Sequence, residues 1–294
     1  MKLALGTAQF GLNYGITNKS GQVNLEDAKA IILGAQLRGI DTIDTAIAYG
    51  ESESCLGNVC LDEFILVTKL PPIPDEINDV RSWVFDQVQM SLQRLGVENV
   101  YGLLLHSSQQ LKGPNGKALV HSVGELKSNG TVKKFGVSIY SPSELDNLQN
   151  ICRLDLVQAP FNLVDQRLKT SGWLHKLYED KIEVHSRSTF LQGLLLMKAT
   201  EIPEKFDLWG PMFSTWYNWL LNNNISAAEA CLSFVQGHPQ VSKIVVGVDN
   251  LKQLEHLTQL MQLIQAASPQ KNIVWPNISS LDQNLINPTN WSRL

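Results

Sequence analysis

Charged residues of either sign are sparse in this sequence, and neither sign dominates. Only 18% of its 294 residues are charged, and 24 basic against 28 acidic side chains give a net charge of −4. Binding to nucleic acid or to an anionic membrane surface relies on clustered Lys and Arg side chains. The composition therefore argues against a polyanion-binding protein, and we expect neither nucleic acid nor membrane among its partners.

Cysteine is also scarce, and long apolar runs are missing. The four cysteines form no C-x-x-C pair and no metal-site spacing with histidine, so we expect reduced thiols and no metal. No eighteen apolar residues occur in succession, and the opening MKLALGTAQFG is too short an apolar segment for a signal peptide. These two observations lead us to expect a cytoplasmic protein. Because 44% of the residues are hydrophobic, we expect it to be globular with a large core.

Eight short apolar runs predict the strands of the fold. They alternate with amphipathic segments, which is typical of parallel sheets whose strands are joined by helices. The runs are KLALGT, IDTIDTA, FILVTKL, VYGLLLHS, KKFGVSIY, DLVQAPFN, IEVHSRS and KIVVGV, which start at residues 2, 40, 64, 100, 133, 155, 182 and 243. Helix ends are marked as well, because Asn24 precedes one amphipathic segment and Gly96 follows another.

The number of runs favours a single α/β domain, a closed (β/α)8 TIM barrel, over an open doubly wound sheet. An open dinucleotide-binding sheet would carry G-x-G-x-x-G after its first strand, and GTAQFG does not match that motif. We predict one domain over residues 1–294. It includes a long loop after the seventh strand, between Gly193 and Phe213, and a tail at 268–294 that packs on the barrel.

Three consecutive strands end in groups that can carry out chemistry, at the barrel edge where catalytic residues of this fold lie. Asp44 ends the second strand, with Tyr49 in the following loop, Lys69 ends the third and His106 ends the fourth. An ammonium group beside a tyrosine stabilises the phenolate, and a neighbouring carboxylate keeps the lysine charged. Tyr49 is thus a candidate general acid, whereas His106 could orient a carbonyl or transfer the proton itself.

These four residues include no nucleophile with its base and no set of metal ligands. A proton donor on its own points to a hydride delivered by a cofactor. Two other interpretations stay open at this stage. Lys69 could act as the nucleophile of a Schiff-base aldolase, or the protein could be a non-catalytic nicotinamide-binding sensor.

In its motifs the chain resembles the aldo-keto reductase family. The resemblance runs through GTAQFG, IDTIDTAIAYGESE, VTKL, LLHS, KKFGVSIY, LVQAPFN, RSTFLQGLLL and VVGVDNLKQLEHL, which cover nearly the whole chain. It implies NAD(P)H-dependent reduction of an aldehyde or ketone to an alcohol. Tyr49 would be the proton donor, Lys69 and Asp44 would tune it, and His106 would orient the substrate oxygen.

The opening GTAQFGxxYG is similar to that of a bacterial subgroup of the family associated with sugar and surface-polysaccharide metabolism. It suggests a sugar-like carbonyl substrate. Separately, we expect the protein to be a monomer or a homodimer. Candidate substrate contacts are Gln9, Phe10, Asn13 and Tyr14 after the first strand, and Trp209, Met212 and Phe213 in the long loop.

The resemblance also implies a cofactor site. The matching positions are Gly6, Thr7, Ala8, Asp44, Ser138, Gln158, Arg187, Ser188, Phe190, Gln192, Gly193, Gly247, Val248, Asn250 and Gln253. Family members that use NADPH usually clamp its 2′-phosphate with cationic side chains in the last turn. This chain has Asp249 there, and Lys252 is the nearest cation. The expected cofactor is therefore NADPH or NADH, with the usual preference for NADPH weakened.

Overall fold

The protein is described from a computed structural model, which covers residues 1–18, 21–267 and 273–294. Eight parallel strands close into a barrel in chain order, and β8 pairs back onto β1. The strands are β1 (Leu3–Gly6), β2 (Thr42–Asp44), β3 (Ile65–Leu70), β4 (Val100–Leu105), β5 (Val132–Ser138), β6 (Leu156–Pro160), β7 (Glu183–Arg187) and β8 (Lys243–Gly247). The predicted (β/α)8 fold is confirmed.

Helices surround the strands. They are α1 (Ala8–Gly11), α2 (Leu25–Leu37), α3 (Ser52–Leu56), α4 (Val80–Leu95), α5 (Gly116–Ser128), α6 (Arg167–Thr170), α7 (Trp173–Glu179), α8 (Gly210–Asn223), α9 (Ala227–Gln236), α10 (Leu251–Ala266) and α11 (Gln283–Ile286). The marked helix ends form as predicted. The side chain of Asn24 accepts a hydrogen bond from the Asp27 amide, and Gly96 ends α4 with a φ of 69°, a conformation that suits glycine.

The barrel interior is filled by a small cluster of its own. Val67, Leu104 and Leu156 are fully buried and pack together, apart from the larger core between strands and helices. Because side chains alternate across a strand, the residues two positions further on, Lys69, His106 and Gln158, point to the same side. The interior cluster thus forms a floor for polar groups at the carboxyl ends of the strands.

The segment after β7 differs from the loop that the sequence predicts between Gly193 and Phe213. It contains three 3-10 segments, Leu191–Leu196, Ala199–Glu201 and Glu204–Trp209, and then enters α8. Buried apolar groups stabilise these turns, since Leu194, Leu195 and Phe206 are completely buried. The connection is therefore a packed layer rather than a free loop.

The described part of the tail packs against that layer. Trp291 is 5% exposed, and its ring meets Phe206 edge-on at a centroid distance of 5.0 Å. The first residues of the predicted tail, 268–272, lie outside the described residues, and the single-domain organisation of 1–294 stays a prediction. Within the described ranges, the structure contains no helix that is both long and apolar enough to cross a membrane.

Candidate active site

The four predicted catalytic side chains meet at the carboxyl ends of β2, β3 and β4. The fully buried Lys69 donates hydrogen bonds from Nζ to Oδ2 of Asp44 at 2.6 Å and to the carbonyl oxygen of Thr45 at 2.8 Å. The same Nζ lies 5.1 Å from the centroid of the Tyr49 ring. The ring of His106 approaches that of Tyr49 edge-on, with centroids 5.7 Å apart. The structure thus brings together all four residues.

The two buried basic groups, Lys69 and His106, have pKa values shifted in opposite directions. Burial alone would lower the pKa of Lys69, but the charge of Asp44 and the contact with Tyr49 outweigh it and raise the pKa. Burial, aided by the positive charges of Lys69 and Arg187, lowers the pKa of His106 to about 4. At neutral pH the site therefore holds an ammonium and a neutral imidazole.

The second oxygen of Asp44 is also fixed. Gln158 donates from Nε2 to Oδ1 of Asp44 at 2.6 Å, and Ser138 donates to Oε1 of Gln158 at 3.4 Å. Asp44 is 4% exposed, so both of its oxygens are oriented by buried partners. This leaves Asp44 as a fixed negative charge beside Lys69 rather than a mobile base.

A cleft of about 790 Å³ opens beside this cluster, and Tyr49 lies in its wall. Most predicted cofactor positions line it: Gly6, Thr7, Ala8, Asp44, Gln158, Arg187, Ser188, Phe190, Gln192, Gly193, Gly247 and Gln253. Three of them lie elsewhere. Ser138 lies behind Gln158, Val248 is buried, and Asn250 caps α10 by accepting a hydrogen bond from the Gln253 amide.

Arg187 is held at the end of β7. It donates from its guanidinium to the carbonyl oxygen of Ile139 at 2.9 Å, and its Cζ lies 4.6 Å from the centroid of the Tyr140 ring. Its planar group is therefore stacked on an aromatic ring while it lines the cleft. Among the described residues, Arg187 is the one Lys or Arg that does so.

The turn after β7 has an unusual backbone. Ser188, Leu191 and Gln192 have φ angles of 58°, 49° and 52°, which residues with side chains rarely adopt. Such conformations are concentrated at functional sites. In the same turn, Thr189 is 2% exposed, and its Oγ1 has no hydrogen-bond partner among the described residues. The turn fits a ligand that carries phosphate oxygens.

A strap formed by residues 14–17, after β1, contacts the β7 turn. The hydroxyl of Tyr14 accepts a hydrogen bond from Nε2 of Gln192 at 2.9 Å, and the Ile16 amide donates to the carbonyl of Gln192 at 3.2 Å. A Cβ on Gly193 would lie 2.4 Å from Oγ1 of Thr17, so only glycine allows this approach. Because β8 lies between β1 and β7 in the barrel, the strap spans the end of β8.

Two buried side chains in α3 hold the loop that carries Tyr49. Ser52 donates to the carbonyl oxygen of Thr7 at 2.9 Å. The carboxylate of Glu53 accepts hydrogen bonds from Thr68, Ser91 and Arg94 at 2.6 to 2.9 Å. The sequence gives no local signal for this network, since its members lie 15 to 41 residues from Glu53.

The cleft also includes residues that the sequence motifs did not reveal, among them Thr17, Thr189, Met197, Glu201, His256 and Leu257. His256 and Leu257 follow Gln253 by three and four positions on α10, a spacing that could have revealed them. Of the expected substrate contacts, Gln9 and Tyr14 line the cleft, whereas Phe10 and Asn13 do not.

The aromatic residues of the predicted long loop do not line the cleft either. Trp209 instead donates to Asp282 at 3.2 Å, and Phe213 is 4% exposed within the core. Trp209, Met212 and Phe213 lie in the packed layer after β7 and outside the cleft lining, so substrate contacts from them stay a prediction. Across the described ranges, no three His, Cys, Asp or Glu side chains come together as metal ligands.

Comparison with known proteins agrees with this geometry. The family model of the Aldo/keto reductase family matches residues 2–270. The chain is 29% identical over 213 residues to the aldo-keto reductase YhdN of Bacillus subtilis, covering 68% of this chain and 61% of that protein. It is 28% identical over 203 residues to D-arabinose 1-dehydrogenase of Saccharomyces cerevisiae, covering 63% and 60%. The match thus spans about three fifths of the length of these relatives.

Solved structures share the fold. An aldo-keto reductase from Bacillus halodurans in its holo form superposes with a TM-score of 0.72 at 18% identity, covering 92% of this chain and 88% of that one. Glycerol dehydrogenase from Gluconobacter oxydans superposes with a TM-score of 0.68 at 21% identity, covering 93% and 94%. With the family model matching residues 2–270, the chain belongs to the aldo/keto reductase family.

Proposed function

We propose that this protein is an NAD(P)H-dependent oxidoreductase that reduces a carbonyl group to an alcohol, with Tyr49 as the proton donor. The observation that carries the proposal is the position of Tyr49, which lies in the wall of the cleft and contacts the charged Lys69 behind it. Reduction adds a hydride to the carbonyl carbon and a proton to the oxygen. The reduced nicotinamide ring supplies the hydride when it is bound.

The roles of the protein side chains follow from their charges. Tyr49 gives its phenolic proton to the carbonyl oxygen, and the ammonium of Lys69 stabilises the phenolate that remains. Asp44, fixed by Gln158, keeps Lys69 protonated. His106 is neutral at pH 7 because its pKa is lowered to about 4, so it serves as a hydrogen-bond donor to the substrate oxygen rather than as the acid.

The cleft fits a nicotinamide dinucleotide. Residues of β1, β6, β7 and β8 line one continuous space. Two polar atoms with almost no exposed surface, Oγ1 of Thr189 and Oδ1 of Asp249, lack hydrogen-bond partners among the described residues, and both residues line the cleft. A ligand with hydroxyl and phosphate groups would supply those partners. We assign the β7 turn to the pyrophosphate and Gln158 to the carboxamide end.

The geometry supports the reductase over the two alternatives. A Schiff-base nucleophile must be a neutral amine, and the raised pKa of Lys69 together with its ion pair to Asp44 opposes deprotonation. The sensor would not need the contact between Lys69 and Tyr49. For the substrate, we propose a polyhydroxy or sugar-like aldehyde or ketone. The names of two relatives, D-arabinose 1-dehydrogenase and glycerol dehydrogenase, support that class, as does the polar amide of Gln9 in the cleft.

Replacement of Tyr49 tests the proposal. Tyr49→Phe removes the proton donor but keeps the ring, so reduction of a sugar aldehyde should fall by about a hundredfold to ten-thousandfold. Binding of NADH or NADPH, followed by fluorescence titration, should stay within about twofold because the phenol does not hold the cofactor in this scheme.

Tyr178→Phe is the control, since Tyr178 is exposed on α7 and lies outside the cleft lining. It removes the same hydroxyl group from a tyrosine away from the site, so this variant should keep the wild-type activity. Turnover by Tyr49→Phe at the wild-type rate would contradict the assigned role. Binding of both cofactors without turnover of any carbonyl compound by the wild type would favour the sensor.

A further inference from the structure

The carboxyl end of β8 leads into a small polar site on the cleft wall, formed by Asp249 and Gln253. We propose that these two side chains bind the free ribose hydroxyls of the adenosine half of the cofactor, so that the enzyme prefers NAD(H) to NADP(H). The inference rests on the proposed function and adds the choice between the two cofactors.

The first step is the state of the Asp249 carboxylate. Its Oδ1 has almost no exposed surface and no hydrogen-bond partner among the described residues. Its Oδ2 receives only a long contact of 3.4 Å from Nε2 of Gln253. A buried carboxylate oxygen without a donor is costly, so this atom is poised to accept a hydrogen bond from a ligand. A ribose 2′-hydroxyl is such a donor, and carboxylates perform this task in other NAD-binding folds.

The second step is the orientation of the pair. The backbone amide of Asp249 donates to Oε1 of Gln253 at 2.8 Å. The backbone amide of Gln253 donates to Oδ1 of Asn250 at 3.0 Å. The first bond fixes the side chain of Gln253 against the Asp249 backbone, and the second caps α10, a helix of 16 residues. The Gln253 side chain is therefore oriented before any ligand binds, which reduces the entropy cost of binding.

The third step is the supply of positive charge. A 2′-phosphate at Asp249 would place two anionic groups side by side, which is unfavourable without a cation between them. Among the described cleft residues, Arg187 at the end of β7 is the one Lys or Arg. Its guanidinium already contacts Ile139 and Tyr140 in the turn after β5.

Nearby cations outside the cleft do not supply this positive charge. Arg38, next to α10, is bound by Glu255 at 2.5 Å and by the carbonyl of Gly34 at 3.1 Å. Lys252 is exposed and does not line the cleft. The site therefore offers a hydroxyl acceptor and lacks a phosphate clamp among the residues that the structure describes.

Direct binding measurements test the inference without relying on turnover. The wild-type protein is titrated with NADH and with NADPH by fluorescence and calorimetry at about pH 8, where imidazole side chains are neutral. We expect the Kd for NADH to be lower than that for NADPH by about tenfold or more, the effect of one charge-assisted hydrogen bond.

Two variants sharpen the test. Asp249→Asn should raise the Kd for NADH by about tenfold and leave that for NADPH equal or lower, because the negative charge is removed. The double variant with Asp249→Ser and Gln253→Arg should bind NADPH more tightly than NADH. Asp86→Asn on the exposed face of α4 removes the same charge outside the cleft and should change neither Kd. Circular dichroism checks that each variant is folded.

The outcomes separate this inference from the proposed function. Tighter or equal binding of NADPH by the wild type overturns the inference but leaves the reductase intact. Unchanged affinities in folded Asp249→Asn overturn it as well. Failure of the wild type to bind either cofactor overturns the proposed function itself.

Discussion

At the scale of single residues, Lys69 and His106 show how one buried site holds two bases in different charge states. Lys69 has the Asp44 carboxylate at 2.6 Å, so it keeps its proton although it is completely buried. Among the described residues no carboxylate is hydrogen-bonded to His106, and the positive charges of Lys69 and Arg187 act with burial against the charge of Asp44. Burial therefore decides the charge of His106, whereas the ion pair decides that of Lys69.

The neutral state of His106 predicts a loss of stability in mild acid. Its pKa is about 4 in the folded protein and about 6.5 in an unfolded chain, so between these values only the unfolded chain binds the proton. Stability should fall as the pH falls through that window. Between pH 7 and pH 5, the free energy of unfolding should fall in both proteins. We expect the fall to be about 1 to 2 kcal/mol smaller in His106→Asn than in the wild type.

Urea denaturation of both proteins at the two pH values measures this difference. Comparison of the two losses cancels the contributions of other groups, including His238, whose pKa is also lowered by burial. Equal losses in wild type and variant would show that His106 is protonated in the folded protein as readily as in the unfolded chain.

At the scale of secondary-structure elements, a buried polar network joins α3 to its neighbours. Glu53 is 1% exposed and joins α3 to β3 through Thr68 and to α4 through Ser91 and Arg94. A buried carboxylate is tolerated only while its hydrogen-bond partners remain. Because α3 follows directly on the loop of Tyr49, this network positions the loop that carries the proposed acid.

Removal of Arg94 should therefore be far more costly than removal of an exposed arginine. Arg94→Met leaves Glu53 buried with two hydroxyl partners, and we expect the free energy of unfolding to fall by about 3 kcal/mol. Arg81→Met is the matched control, since Arg81 pairs with Glu125 on the exposed surfaces of α4 and α5 and should contribute little. Urea midpoints measure both variants, and similar losses would contradict the importance of the Glu53 network.

The elements also show what the sequence could predict and why. The strands and the caps at Asn24 and Gly96 depend on local patterns, so these predictions are confirmed. Asp44, Tyr49, Lys69 and His106 could be found because each lies at or just after a strand end. The bond between Tyr14 and Gln192 joins residues 178 positions apart, and no local pattern encodes it. The turns after β7 were predicted as a loop because their stability comes from burial of Leu194, Leu195 and Phe206.

At the scale of the whole molecule, the first and last strands of the barrel both contribute to the wall of the cleft. Gly6 of β1 is in register with Gly247 of β8 and with Asp44 of β2. The amide of Gln9 lies against Gly247, where a Cβ would come within 2.3 Å of it. A ligand in the cleft thus contacts both sides of the seam at which the barrel closes.

Cofactor binding should consequently stabilise the entire fold. A ligand that binds only the folded state adds about 2.7 kcal/mol at a hundredfold excess over its Kd. We expect saturating NADH to raise the Tm by several degrees in a thermal melt, and nicotinamide mononucleotide, which lacks the adenosine half, to raise it less. A melting curve unchanged by both NADH and NADPH would contradict the assignment of the cleft.

The pairing of β1 with β8 also sets the order in which the protein can mature during synthesis. Residues 3–6 leave the ribosome well before their hydrogen-bonding partners at 244–247, which follow much later in the sequence. Until then the first strand has one open edge, and the cleft lacks the wall supplied by α10. The barrel can therefore close, and the binding cleft can be complete, only after β8 and α10 have been synthesised.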